Sequence, residues 1–293
     1  MAEFHLGCAQ MGWPQGTPEE EILKALVKIG YEGTPGYPRG GRSAGETLEA
    51  FSRCGLRPAP GYFSVDFWRV EQTDEILKRA QKMAVFMREV GCTELYVATG
   101  GWTGYVTPSG KHRGQVAGRV KKEDGLTLTE WKVFADTLCL VGEISLKEGV
   151  KSCFHNHVGS VIETGQEMDY LMGITDPSLV FLGPDTGHLA WAGADVVDFF
   201  FKYNDRIKTV HVKDVKMSVV KEGVAAGWDY DGYVRHNIFC ELGEGDVDFP
   251  TVFSILKQAG FSGWVIVETD VITRPTPEES HAVSLEYLKN LGI

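Results

Sequence analysis

Four short apolar runs in the second half of the chain each end in ionisable residues. They read Cys153-Phe-His155-Asn-His157, Gly183-Pro-Asp185-Thr-Gly-His188, His211-Val-Lys213-Asp214 and Val267-Glu268-Thr-Asp270. If each run is a strand, side chains alternate between its faces, so His155 shares a side with His157, and His211 with Lys213. Taken singly, each group has a structural reading: His157 or His188 as a hydrogen-bonded buried histidine, Asp185 as the cap of a turn, Lys213 and Asp214 as a solvated pair. Taken together, they are costly to gather at a low-dielectric mouth without a partner, and a divalent cation satisfies several carboxylates and imidazoles at once. The expected ligand set is His155, Asp185, His211 and Glu268, whose two carboxylates cancel the charge of the ion. That donor mixture suits Mn2+ or Co2+ first, with Zn2+ or Mg2+ as the other candidates. Calcium prefers oxygen throughout, and structural zinc usually recruits cysteine.

Other motifs are absent or weak. The chain has no G-x-x-x-x-G-K-[ST], no G-x-S-x-G and no H-E-x-x-H. Gly243-Glu-Gly245-Asp-Val-Asp248 lacks the third glycine of a dinucleotide fingerprint and reads as a turn that caps the next helix at Asp248. No organic cofactor is therefore expected. The six cysteines, Cys8, Cys54, Cys92, Cys139, Cys153 and Cys240, lie far apart without a C-x-x-C, which argues against a thiolate zinc site or a disulfide framework and casts them as small buried hydrophobes.

The elements that must position these residues alternate along the whole chain. Strands are expected at Phe4–Ala9, Tyr31–Gly33, Arg57–Tyr62, Leu95–Ala98, Ser152–His157, Leu179–Leu182, Thr209–Val212 and Trp264–Val267. Between them, Thr-x-x-Glu capping boxes at Thr17/Glu20, Thr127/Glu130, Thr164/Glu167 and Thr276/Glu279 announce helices. Ile76, Ala80, Met83, Met87 and Val90 repeat at alternating four and three, as one buried helical face requires. Such alternation specifies a single α/β domain over residues 1–293, a (β/α)8 TIM barrel. Two irregular stretches, 100–125 and 217–244, follow strands and belong at the C-terminal face, where barrel active sites are built.

At 293 residues, 43% hydrophobic and 24% charged, the chain has the composition of a soluble globular protein. Its net charge of −11 repels phosphate backbones and anionic lipid, so neither nucleic acid nor membrane is an expected partner. The opening residues carry no basic and apolar leader, and no stretch approaches a membrane span, which leads to the expectation of a cytoplasmic protein.

Phe154-His-Asn-His157, Asp185-Thr-Gly-His188, His211-Val-Lys-Asp214 and Glu268 fall in the order found in the xylose-isomerase-like barrels, the sugar phosphate isomerase/epimerase superfamily that also contains endonuclease IV. Within it the chain most resembles the myo-inosose-2 dehydratases, through His155-Asn-His-Val-Gly-Ser160, Glu163-Thr164, Asp185-Thr-Gly-His-Leu189, Gly243 to Phe249 and Gly260-Phe-Ser-Gly-Trp264. The resemblance implies a metal-dependent lyase of inositol or carbohydrate catabolism and a homo-oligomer. Many isomerases of this group carry glutamate where this chain has His155, and neutral imidazole leaves the metal a stronger electrophile. The expected reaction is α-proton abstraction and β-elimination of water from a polyhydroxylated cyclic ketone such as 2-keto-myo-inositol, through a metal-bound enediolate. His157 and His188 are the expected acid and base, Glu268 or Glu163 the other bases, and Lys213 the stabiliser of the enediolate. Trp13, Trp102 and Trp191 have two readings, as apolar faces for ring C–H groups or as core residues. The alternatives are a ketose isomerase or 3-epimerase, a 3-keto-glycoside lyase, an AP endonuclease-like enzyme, and a non-catalytic sugar-binding barrel.

Overall fold

A computed structural model describes residues 2–293. In chain order the first half contains β1 (Glu3–Cys8), α1 (Glu19–Ile29), β2 (Gly33–Pro35), α2 (Ala44–Cys54), β3 (Arg57–Ala59), β4 (Tyr62–Val65), α3 (Thr73–Glu89), β5 (Glu94–Thr99) and α4 (Leu128–Lys147). The second half contains β6 (Lys151–Phe154), α5 (Gly165–Ile174), β7 (Val180–Leu182), α6 (Thr186–Trp191), α7 (Val196–Tyr203), β8 (Val210–Val212), β9 (Asp214–Val215), α8 (Met217–Ala226), α9 (Tyr230–Arg235), β10 (Phe239–Cys240), α10 (Phe249–Gln258), β11 (Ser262–Val267) and α11 (Pro277–Asn290).

Two parallel sheets, ordered β3-β2-β1-β11-β8 and β4-β5-β6-β7, curve into one barrel wall. β3 and β4 are one stave interrupted at Pro60-Gly61: Ala59 accepts from Gly36 on one side of the break and Gly61 from Tyr96 on the other. Parallel bridges Leu182↔Ile207 and Asp185↔His211 close the wall between β7 and β8. The second bridge joins two of the expected metal ligands directly.

The helices form where their caps and stripes require. Ser43, Thr127 and Thr164 each accept from the backbone N–H three residues on, while the glutamate there reaches back. The Ser43 box was not anticipated, and the one expected at Thr17/Glu20 does not form. There the helix starts one residue later, behind Pro18, and Thr17 donates to the Pro14 carbonyl instead. At Thr276 only half of the box is made, the hydroxyl accepting from Glu279 N–H.

The expected second strand also shifts, to Gly33–Pro35. Gly30 takes a left-handed φ of 112°, its N–H and that of Tyr31 both bond the Leu26 carbonyl, and Tyr31 is thereby the buried end of α1. Cys54 and Cys139 are only half-buried on the helix layer; the other four cysteines are buried, and all six are free.

Most of the core lies between strands and helices, whereas a separate small cluster of Ala9, Ala59, Tyr96, Trp264 and Ile266 fills the barrel interior. Tyr96 is fully buried and its hydroxyl meets Thr209 Oγ1 at 2.5 Å. Gly183 makes room for that ring, since a Cβ there would lie 2.7 Å from it. The plug is the floor on which the site stands: the Tyr96 ring centroid is 4.1 Å from that of His211 and 5.7 Å from that of His155.

Candidate active site

His155, Asp185 and His211 come from the ends of β6, β7 and β8, and each offers a ligand atom within 4.8 Å of the others. Local bonding fixes each. His155 Nδ1 lies 3.1 Å from the Gly183 carbonyl, so a neutral ring donates there and turns its Nε2 lone pair free. Asn156 grips Asp185 by the backbone, accepting from its N–H at 2.9 Å and donating to its carbonyl at 3.3 Å. Asp185 caps α6 through Oδ1, which takes the His188 N–H at 2.8 Å, and its Oδ2 is buried with no partner. The turn-cap and ligand readings of Asp185 are therefore compatible, one oxygen each.

Among the described residues, His211 has no partner in hydrogen-bonding geometry at either ring nitrogen. Glu268 Oε2 comes within 2.8 Å of its Nδ1, but off the ring N–H direction. Glu268 thus stands beside the three-residue group, not within it, and its Oε1 accepts from Lys213 Nζ at 2.8 Å. Orphaned buried polar atoms cost about 1–3 kcal/mol apiece. Here Asp185 Oδ2 and one nitrogen of His211 lie beside His155, and one lone pair from each of the three residues fits a divalent cation.

Lys213 is at the centre of the charge arrangement. Its ammonium is fully buried, 2.8 Å from Glu268, 3.1 Å from Asp270 and 3.8 Å from Asp185. Three carboxylates against one ammonium leave a formal excess of two negative charges, which a divalent ion balances. Burial opposes the charge on Lys213, but Asp270, Glu268 and Asp185 outweigh it and hold the group protonated. Burial would raise Glu268, yet Lys213 and His211 keep it well below the usual carboxylate range. For Asp185 burial wins over Lys213 and the group is raised. Gly187 is required here, because a Cβ would sit 2.8 Å from Lys213 Cγ.

Lys213 and Asp214 are not a solvated pair: they diverge from adjacent positions. Asp214, also buried, accepts the N–H groups of Gly243, Gly245 and Val247 and so shapes the glycine turn leading to Asp248, the cap of α10.

The His157 and His188 rings stack with centroids 3.7 Å apart. His157 donates from Nδ1 to the Val158 carbonyl at 2.7 Å, leaving Nε2 open. His188 is engaged at both nitrogens, by Lys213 Nζ at 3.2 Å and by the Val158 N–H at 3.4 Å. A neutral ring accepts at only one nitrogen, so the closer ammonium takes the lone pair. Burial lowers both rings, His157 to about 4 and His188 well below the histidine range, so both are neutral at pH 7.

Glu163 is pushed up to about 7 by burial, with Arg113 opposing. Its oxygens are taken by Gly118 N–H at 2.8 Å and Gly159 N–H at 2.6 Å, which ties the 100–125 segment to the rim. Arg119 donates to the carbonyls of Gly227 and Trp228, joining the two long segments. From these segments Trp102 and Tyr230 meet at 4.2 Å, and each faces His157. Trp191 is buried in the core beneath them, and Trp13 stacks on His281.

With this geometry in view, known proteins are informative. A model described as "Xylose isomerase-like TIM barrel" matches residues 48–291. The chain belongs to that family. Among curated relatives, an inosose dehydratase of Clostridium tetani is 30% identical over 96% of this chain and 93% of its own, and one of Geobacillus kaustophilus is 29% identical over 91% and 87%. Among solved structures, an IolI protein with a bound zinc atom superposes with a TM-score of 0.69 at 18% identity, over 98% of this chain and 97% of that one.

Within this xylose isomerase-like barrel, sequence reasoning undervalued Asp270 as a partner of Lys213 and missed Asn156 and Tyr62. Asn156 had a signal: a polar residue out of phase between two histidines at the end of a buried strand. Tyr62, whose ring lies 5.2 Å from that of His155, had none, because an aromatic residue opening a strand reads as core. No helix among the described residues is long and apolar enough to cross a membrane.

Proposed function

We propose that this protein is an inosose dehydratase, a carbon–oxygen lyase that removes water from a polyhydroxylated cyclic ketone such as 2-keto-myo-inositol. The observation that carries the proposal is that buried, unpartnered Asp185 Oδ2 and a ring nitrogen of His211 gather with His155, next to a buried ammonium. Two dehydratase relatives aligned along nearly the whole chain support the substrate. His155, Asp185 and His211 would hold the ion, with Glu268, 2.8 Å from His211, as the candidate fourth ligand. When bound, a divalent metal supplies Lewis-acid polarisation of a carbonyl.

The remaining steps belong to the chain. His157 Nε2 is the open, neutral nitrogen at the rim and takes the proton α to the carbonyl. As that C–H bond breaks, its electron pair forms the C=C bond of an enolate, the carbonyl π pair moves onto oxygen, and Lys213 stabilises the negative charge that grows there. The carbonyl then re-forms, the enolate pair shifts to a new C=C bond between the α and β carbons while the β C–O bond breaks, and His157 returns its proton to the departing hydroxyl, which leaves as water. The enol that remains rearranges to a dicarbonyl. His188 holds the His157 ring and Lys213 in register. An epimerase needs a second proton carrier on the opposite face; the nearby buried carboxylate, Glu163, is already committed to Gly118 and Gly159.

The test is an ultraviolet assay on inosose after EDTA treatment and re-addition of Mn2+, Co2+, Zn2+ or Mg2+, run in parallel in D2O. The proposal expects an absorbing dione that appears only with metal. Deuterium exchange at the α-carbon without a dione would reject dehydration in favour of isomerisation, and no change of the substrate at all would reject both.

A further inference from the structure

The ionisable groups of the site come from β6, β7, β8 and β11, one half of the barrel rim. From the other half, the β2 and β3/β4 staves, two tyrosines reach the same place. Tyr62 faces inward from β4, packs on the Tyr96 plug, and sets its ring edge-on to His155 with centroids 5.2 Å apart. Tyr37 follows β2; Glu268 and Arg39 are the charges close to its phenol, whereas Glu268, Lys213 and Asp185 are close to that of Tyr62, with Tyr37 itself beside it. Both side chains are only partly buried, and neither hydroxyl has a hydrogen-bond partner among the described residues. By contrast, the hydroxyls of Tyr31 and Tyr96 are both paired. A polar atom kept at the mouth of a barrel without a protein partner is free for a ligand.

We infer that Tyr62 and Tyr37 form the second wall of the substrate site and donate their hydroxyls to oxygens of an unphosphorylated cyclic polyol ketone. This rests on the reading of the site given under the proposed function. A phenol ordinarily titrates at about 10, so both hydroxyls are protonated donors at neutral pH. The buried cation of the site, Lys213, is not free for a phosphate, being shared among three carboxylates, and Arg39, whose guanidinium lies 5.6 Å from the Tyr37 ring, is turned to Glu19, which it shares with Arg42. Neutral hydroxyls facing a metal-and-ammonium wall suit a ring that carries hydroxyls on every carbon and no charge. Tyr62, beside His155, is placed to reach the oxygen on which charge develops, and Tyr37 a ring hydroxyl farther out.

Tyr62→Phe and Tyr37→Phe test this, because each removes only a hydroxyl that bonds nothing in the protein. Both variants should keep the melting temperature and metal content of the wild type. Tyr62→Phe should lower kcat/KM for inosose roughly 10- to 100-fold, mainly through kcat, as loss of a donor to a developing oxyanion does. Tyr37→Phe should raise KM by about 3- to 10-fold with little change in kcat. Fructose 6-phosphate should neither bind nor compete. Phenylalanine variants within twofold of wild type on inosose overturn the inference and leave the dehydratase proposal standing. If the wild type does not dehydrate inosose, calorimetric binding of myo-inositol to the metal-loaded protein decides: affinity that falls in the variants supports the tyrosine wall alone, and affinity that is absent or unchanged refutes it too. Tight binding of fructose 6-phosphate refutes the stated ligand class.

Discussion

Replacing Lys213 by methionine removes the ammonium while keeping the length of its stem. In the folded protein that ammonium lies within 3.8 Å of Glu268, Asp270 and Asp185, and it is wholly buried. Its loss strands carboxylates in a low-dielectric site, and removing one partner of such a buried arrangement costs about 3–5 kcal/mol. At roughly 2–4 °C per kcal/mol for a chain of this size, the metal-free variant should melt about 6–20 °C below the wild type. The contribution of Glu268 to the pH dependence should change sign as well. In the wild type Glu268 is held low by Lys213, so its contribution is present above the unfolded carboxylate value and is lost as pH falls through the folded one. Without the ammonium, burial dominates and Glu268 joins Asp185 among the raised carboxylates, so the deficit of the variant relative to the wild type should shrink as pH is lowered from 7 towards 5. A divalent ion supplies the missing positive charge, and saturating Mn2+ or Zn2+ at about 100 Kd should return about 2.7 kcal/mol. Calorimetric melts of EDTA-treated protein, with and without metal, at pH 5 to 8 measure all three effects. A metal-free variant that melts within about 2 °C of the wild type, or one that metal does not stabilise, refutes the charge arrangement.

Other perturbations follow from the same geometry. Asn156→Ala frees the backbone of Asp185 and should weaken metal affinity by about 10- to 100-fold, as loss of an outer-shell partner does, in a chelator competition titration. His157, His155 and His188 are all neutral in the folded state at values below that of the unfolded ring. The unfolded chain therefore takes up protons that the folded one refuses, and stability should fall as pH drops from about 6.5 towards 4. His157→Gln should flatten that slope by about 1–2 kcal/mol at pH 5, read from urea melts. Glu163→Ala leaves the Gly118 and Gly159 N–H groups without acceptors, at about 1–3 kcal/mol each, and limited proteolysis should then cut within 100–125 faster than in the wild type.

What the sequence made legible was local periodicity and end chemistry. Period two puts His155 and His157 on one side, and alternation of strands and helices along the chain implies a barrel, because both signals are carried by neighbours in sequence. Cap chemistry was readable for the same reason at Thr127 and Thr164, but proline at position 18 displaced the start of α1 and with it the Thr17 box. What local pattern does not carry is placement across the barrel. Nothing near Lys213 in sequence says that its ammonium will be divided among Glu268, Asp270 and Asp185, which depends on β8 lying between the β7 and β11 staves. The same holds for Tyr62, which as an aromatic opening a strand reads as core until the closed wall sets its ring against His155. Glu163 shows the converse: its position near a histidine-rich strand suggested a base, whereas its oxygens are spent on the backbone N–H groups of Gly118 in the 100–125 segment and Gly159 in the turn after β6.

The central claim is that His155, Asp185 and His211 grip one divalent ion. The most direct measurement is anomalous diffraction from metal-loaded crystals, paired with elemental analysis of the same protein and of Asp185→Ala. The account predicts a single anomalous peak about 2.0–2.3 Å from a ligand atom of each of the three residues, and its disappearance in the alanine variant. A loaded protein with no peak at that place, or an Asp185→Ala variant that keeps its metal, would contradict it.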